Sequence, residues 1–133
     1  MSQRPAFARR LTAAARVLMG LVFFVFGLNG FLHFIPQPPE LPPFAEALVK
    51  TGYMFPMIAG TQVLVGAMLL LNRFVALALV LIAPVVVNIV AFHIFLEPNG
   101  TVIALVVLAL ESYLVWSYRH CYRGLLDARA SSS

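Results

Sequence analysis

Four apolar runs dominate the chain: Leu11 to Ile35, Met54 to Leu71, Phe74 to Leu96 and Val102 to Tyr118. Each fits the window of about 17 to 25 residues that a helix needs to cross a bilayer core. None alternates apolar and polar residues as a barrel strand does. Backbone polar groups in lipid must be satisfied within their own segment, so the runs predict four transmembrane helices. What separates them is short. "NR" joins the second run to the third and "EPNG" the third to the fourth, which predicts antiparallel neighbours. "PQPPELPP" at 36–43 predicts a stiff extended connector that ends helix one, because proline fixes φ and lacks a donor. "FAEALVK" at 44–50 predicts a short helix capping the outer face, with Glu46 and Lys50 paired at i and i+4 and Gly52 closing it. "DARASSS" at 127–133 reads as a disordered tail. The expected fold is one membrane domain over 1–133, an all-α transmembrane four-helix bundle with a capping segment between helices one and two.

Composition supports lipid as the solvent. The chain is 62% hydrophobic and 11% charged, against roughly a quarter charged in soluble domains. A soluble fold of 133 residues could not hide that much apolar surface. Arginines precede the first run, as in a secretory signal, but the run is too long and no small-residue cleavage site follows, so a retained helix is expected.

Charge placement then predicts orientation. Arg4, Arg9, Arg10 and Arg16 precede or open helix one, Arg73 lies between helices two and three, and Arg119, Arg123 and Arg129 follow helix four. The other end carries Lys50 with Glu40, Glu46 and Glu97. The positive-inside rule puts both termini in the cytoplasm. The net charge of +4 is thus an orientation signal and does not imply nucleic acid as a partner. The one cysteine, Cys121, forms no disulfide within the chain and belongs to no C-x-x-C pair.

Polar residues inside the runs are the candidate chemistry. At 1.5 Å per residue, Asn29 lies about 9 Å and His33 about 3 Å in from Ile35. Gln62 lies about 10 Å in, Asn88 about 12 Å, His93 about 4 to 5 Å, and Glu111 about 15 Å, near the midplane. These six form the candidate ligand-binding set, gathered towards the outer half. A carboxyl at the membrane centre is expensive, so Glu111 is expected to face inward and meet Asn88, Gln62 or Asn29. Asn88 and His93 diverge by about 140° on one helix, which predicts Asn88 inside the bundle and His93 near its mouth or against the capping segment. Pro84 is expected to kink helix three one turn before Asn88. Gly20, Gly27, Gly30, Gly60 and Gly66 are expected to let helices approach closely. The same polar groups could equally act as interhelical glue.

Two harder chemistries fit poorly. His33 and His93 share a depth, as a b-type haem requires, but the site would be very shallow and the 140° offset turns His93 away. A metal site built from His33, His93, Glu97 and Glu111 would span too much depth for one ion. Neither haem nor metal is expected, and no catalytic residue is assigned.

Four segments together resemble the DoxX-like family of small bacterial membrane proteins: "GLNGFLHFIPQPP", "ALVKTGYMFPMI", "LLLNRFVALALVLIAPVVVNIVAFHIFLEP" and "LALESYLVWSYR". The resemblance covers about residues 14 to 126. It implies a four-helix bundle in the bacterial cytoplasmic membrane and association with sulfur-compound or quinol oxidation systems. Many relatives carry Glu where this chain has Gln62, so a relay between two carboxylates is not implied here. The leading expectation is an oxidoreductase-associated membrane subunit whose outward-facing pocket takes a quinone-like molecule. Expected partners are the bilayer, a redox enzyme and further copies of the chain. A small-molecule permease component and a non-catalytic scaffold for a redox partner stay open as alternatives.

Overall fold

The computed structural model describes residues 5–36, 40–129 and 132. Among these, every regular element is helical: α1 (Ala6–Leu32), α2 (Pro43–Lys50), α3 (Met54–Leu70), α4 (Val75–Phe95), a 3₁₀ turn (Pro98–Gly100), α5 (Thr101–Ser117) and a second 3₁₀ turn (Arg119–Tyr122). The centre of the proline connector and much of the expected disordered tail lie outside the described residues.

Three helices are long and apolar enough to cross a membrane: α1, α4, and α5 with its leading 3₁₀ turn. A fourth span is available if α2 and α3, bent by 96° at their junction, count as one. Alone, α3 has 17 residues, a length of about 25 Å that sits at the short limit for a bilayer core.

Boundaries differ from expectation mainly in α1. Its Ala-rich start "AFARRLTAAAR" favours helix and extends it back to Ala6, five residues before the apolar run. At 27 residues it is about 40 Å long, so the turns bearing Arg9 and Arg10 reach past a 30 Å apolar layer. It also stops earlier than its hydropathy suggests. His33 takes a left-handed conformation (φ 53°, ψ 46°) and ends the helix three residues before Ile35.

The turns use local chemistry. Gly52 (φ 80°) follows α2, and Thr51 Oγ1 accepts the Met54 amide at 3.1 Å, holding the corner into α3. Glu46 and Lys50 pair at 3.3 Å as the spacing predicts. Between α3 and α4 the reversal takes residues 71–74, with Asn72 and Phe74 both left-handed. The Arg73 amide returns to the Met68 carbonyl at 3.0 Å, and Arg16 donates to the Leu69 carbonyl, so a cation closes the C-terminal end of α3.

Packing is closest between α1 and α3. A Cβ placed on Gly66 would lie 2.5 Å from the Phe24 amide nitrogen, and one on Gly27 would lie 2.7 Å from that of Val63. Backbone therefore meets backbone along this seam, as the small residues predict, whereas a Cβ on Gly60 would meet the Phe31 ring at an ordinary 4.0 Å. The other neighbours are α3 with α4, α4 with α5, and α5 with α1. The large buried side chains, Met19, Phe23, Leu69, Leu79, Ile82 and Leu114, belong to the half nearest the arginines, here called the basic end. Towards the acidic end, the buried positions include the small residues Gly27, Ala59 and Ala104. The core thus fills one half of the molecule.

Replacing Gly66 with Leu should lower stability by about 1–3 kcal/mol, the ordinary cost of overpacking. Denaturant titration in detergent, followed by helical circular dichroism, measures it; Gly60→Leu, where an added Cβ meets only the Phe31 side chain at 4.0 Å, is the matched control.

Candidate functional site

Gln62 and Asn88 are the two candidate side chains that the fold brings to one cavity. It is a groove of about 310 Å³ between α3 and α4, lined by Met54, Ile58, Gln62, Pro84, Val85, Asn88 and Ile89 and covered by Phe44 and Leu48 of α2. At 1.5 Å per residue, Gln62 lies about 12 Å from the start of α3 and Asn88 about 10 Å from the end of α4. The Phe44 and Phe92 rings, 5.7 Å apart and tilted, join α2 to α4 over the groove. The short segment after the prolines is thus a roof, as its apolar face predicts.

Helix α3 packs Ala59, Val63 and Gly66 on α1, so that Met54, Ile58 and Gln62 on another face look across to Pro84 inside α4. That ring supplies no amide to the Val80 carbonyl and lines the groove itself. Asn88 is exposed in the chain, not inside the bundle as its depth suggested. Gln62 is half-buried.

The other four candidates lie elsewhere. Asn29 is in the last turn of α1, about 4 to 5 Å from the helix end. Its Oδ1 accepts the Ile35 amide at 2.7 Å and its carbonyl accepts the His33 amide at 2.9 Å. This is a helix-ending motif, and the greater depth inferred from sequence came from carrying the helix on to Ile35. His33 is exposed in its left-handed conformation, a conformation for which His is enriched among non-glycine residues. His93 is half-buried over Gly100, where an added Cβ would fall 2.2 Å from the ring. Its Nδ1 sits 2.8 Å from the Ile89 carbonyl and its ring edge meets Phe92 at 5.2 Å. The Thr101 hydroxyl donates to the His93 carbonyl at 3.3 Å. His93 therefore fastens α4 to the turn that opens α5, and through Phe92 it adjoins Phe44 of the capping helix α2.

Glu111 departs furthest from expectation. It is 6% exposed, and neither carboxyl oxygen has a hydrogen-bond partner. Asn29, Gln62 and Asn88 do not reach it. Ten residues separate it from Thr101 but six from Ser117, so it belongs to the basic half of α5. There it influences Tyr122, whose hydroxyl donates to the Ala76 carbonyl at 2.9 Å and ties the second 3₁₀ turn to α4. On the α1 side, the Thr12 and Tyr113 hydroxyls lie 3.0 Å apart. Orphaned buried polar atoms are uncommon and costly, which sets Glu111 apart from the glue residues around it.

Sequence reasoning missed Tyr122 as a buried anchor, because an aromatic residue just beyond a membrane span reads as part of the interfacial belt. Burial first, then the Glu111 carboxyl and Cys121, pushes the Tyr122 phenol up from 10.0 to about 12.

With the geometry in place, comparison with known proteins returns no family model, no curated protein and no solved structure that matches the chain.

Two outcomes follow from these placements. Asn29→Ala should cost about 1 kcal/mol of stability through the lost cap, whereas His33→Gly should cost nothing, since glycine accepts the left-handed conformation; paired unfolding curves decide. The Tyr122 contribution should be complete below pH 10 and decline as pH rises towards 12, because the folded state holds the phenolic proton more tightly than the unfolded state. A tyrosinate absorbance titration should lose a late-titrating step in Tyr122→Phe.

Proposed function

We propose that this chain is a multi-pass membrane protein of DoxX-like type. In this reading it is a four-helix bundle in a bacterial cytoplasmic membrane, with both termini in the cytoplasm. It serves as an oxidoreductase-associated subunit that binds the head of a quinone-like molecule in the α3–α4 groove. The observation that carries the reading is the meeting of Gln62 and Asn88, from two helices, in an otherwise apolar groove under an amphipathic roof. Small-molecule sites have this constitution: apolar walls fix shape, and a few convergent polar groups fix orientation.

The chemistry narrows the ligand. Each primary amide offers both a donor and an acceptor, and neither carries charge. Such a pair suits a neutral head with carbonyl or hydroxyl oxygens and tolerates both the oxidised and the reduced form. Amides are not redox-active groups, so the chain binds and presents the molecule while a partner enzyme performs the redox step. The apolar walls favour a lipid-soluble ligand. A permease would need a polar path through the basic half, where Met19, Phe23, Leu69, Leu79, Ile82 and Leu114 fill the interior.

Reconstitution in nanodiscs with a short-chain ubiquinone as probe tests this directly. Saturable binding is expected, weakened about tenfold or more in the double variant Gln62→Leu and Asn88→Leu, as two neutral hydrogen bonds of about 1 kcal/mol each require. Equal affinity in the wild type and the double variant would sink the proposal.

A further inference from the structure

A second groove of about 390 Å³ lies at the basic end, between α4 and α5. Leu79, Val80 and Ala83 of α4, Val115 of α5, and Leu125 and Leu126 of the following turn make its walls, and Tyr122 closes its base. Arg119 is the one charged residue in the lining. We propose that this groove is a binding site for an anionic phospholipid of the surrounding bilayer, with an acyl chain along the α4–α5 walls and the phosphate on Arg119.

Three features carry the proposal. The first is position. Val75 opens α4 and Ala83 is eight residues further on, so the walls run about 12 Å from the helix end into the apolar layer. Arg119, two residues beyond α5, stands where a headgroup would be.

The second is preorganisation. One Arg119 Nη donates to the Trp116 carbonyl at 2.8 Å, and the guanidinium carbon lies 4.3 Å from the centre of the Trp116 ring. The side chain is held at the groove mouth by these two contacts. A guanidinium has five N–H donors and one is spent here, leaving a fork suited to phosphate oxygens.

The third is charge complementarity. Segment 119–129 carries Arg119, Arg123 and Arg129 against one acid, Asp127. The Asp127 Oδ1 already accepts the Arg129 amide at 3.2 Å. Arg73, in the α3–α4 reversal, is at the same end, because the Tyr122 hydroxyl is bonded to Ala76 in the first turn of α4. Basic segments beside a membrane-spanning helix attract anionic lipid.

The contrast with the α3–α4 groove separates the two ligands. That groove offers amides and no cation, which suits a neutral carbonyl head; this one offers a cation and no amide, which suits a phosphate. The lipid site does not depend on the quinone reading.

Native mass spectrometry of the full chain, released from nanodiscs of equal parts phosphatidylglycerol and phosphatidylcholine, provides the test. One phosphatidylglycerol per chain should be retained in preference to phosphatidylcholine. Arg119→Gln should reduce that preference about fivefold, the ordinary strength of one basic side chain at an anionic surface. Val80→Trp, at a 45% exposed wall position, fills the groove and should release the lipid while Arg119 stays in place. Helical circular dichroism confirms that each variant is folded. Any of these results would overturn the proposal: no lipid preference in the wild type, an unchanged preference in Arg119→Gln, or retention in Val80→Trp, which would indicate diffuse surface attraction. A dimer burying the groove in place of lipid would overturn it equally.

Discussion

The contact on which the rest of the structure depends is the backbone approach of α1 to α3 at Gly27 and Gly66. Lipid tails are as apolar as leucine, so helices in a bilayer gain little by hiding apolar surface from their solvent. They associate through close packing, and close packing is best where no Cβ intervenes. At Gly66 an added methyl would sit 2.5 Å from a backbone nitrogen, a distance that only glycine permits. The seam commits one face of α3 to α1 and leaves the other to meet α4.

The α3–α4 contact is looser, and its looseness is specific. At the basic end, Leu69, Leu79 and Ile82 fill the interior, and Arg16 closes the end of α3 on the Leu69 carbonyl. Further out the buried side chains become small and Pro84 interrupts the regular face of α4. A groove opens there and α2 covers it. Large side chains fill the interior of the basic half, and the α3–α4 groove belongs to the acidic half. The α4–α5 groove at the basic end is of another kind, with apolar walls and a guanidinium where the first groove has two amides.

Glu111 stands apart from both grooves. Its carboxyl is buried with no hydrogen-bond partner, although three amide side chains occupy the spans of α1, α3 and α4. Depth counted from one helix end made Glu111 a neighbour of Gln62 and Asn88. Facing decides otherwise: α3 and α5 both have 17 residues, but the amides of Gln62 and Asn88 turn into the α3–α4 groove and do not reach the carboxyl. Asn29 shows the same limit. Hydropathy continues through Ile35, but a left-handed His33 and the Asn29 cap stop the helix at Leu32. Hydropathy reports which solvent a residue tolerates, not whether its backbone is helical.

The sequence alone determined the helical character, the helix limits to within a few residues apart from the start of α1, the Glu46–Lys50 pair, the roof at 44–50 and the need for close packing at Gly20, Gly27, Gly30 and Gly66. These follow from local rules: run length against bilayer thickness, proline and glycine geometry, and i,i+4 spacing. Only the tertiary structure decided which polar residues meet. It joined Gln62 to Asn88, turned His93 onto Gly100, spent Asn29 on a cap and left Glu111 alone. It also made "RHCYR" an anchored turn, with Tyr122 buried against Ala76 and Arg119 held over Trp116. The physical reason is rotational. Each helix can turn about its axis without changing its hydropathy, so depth can be read along one chain segment, whereas facing is set by the neighbour it packs against.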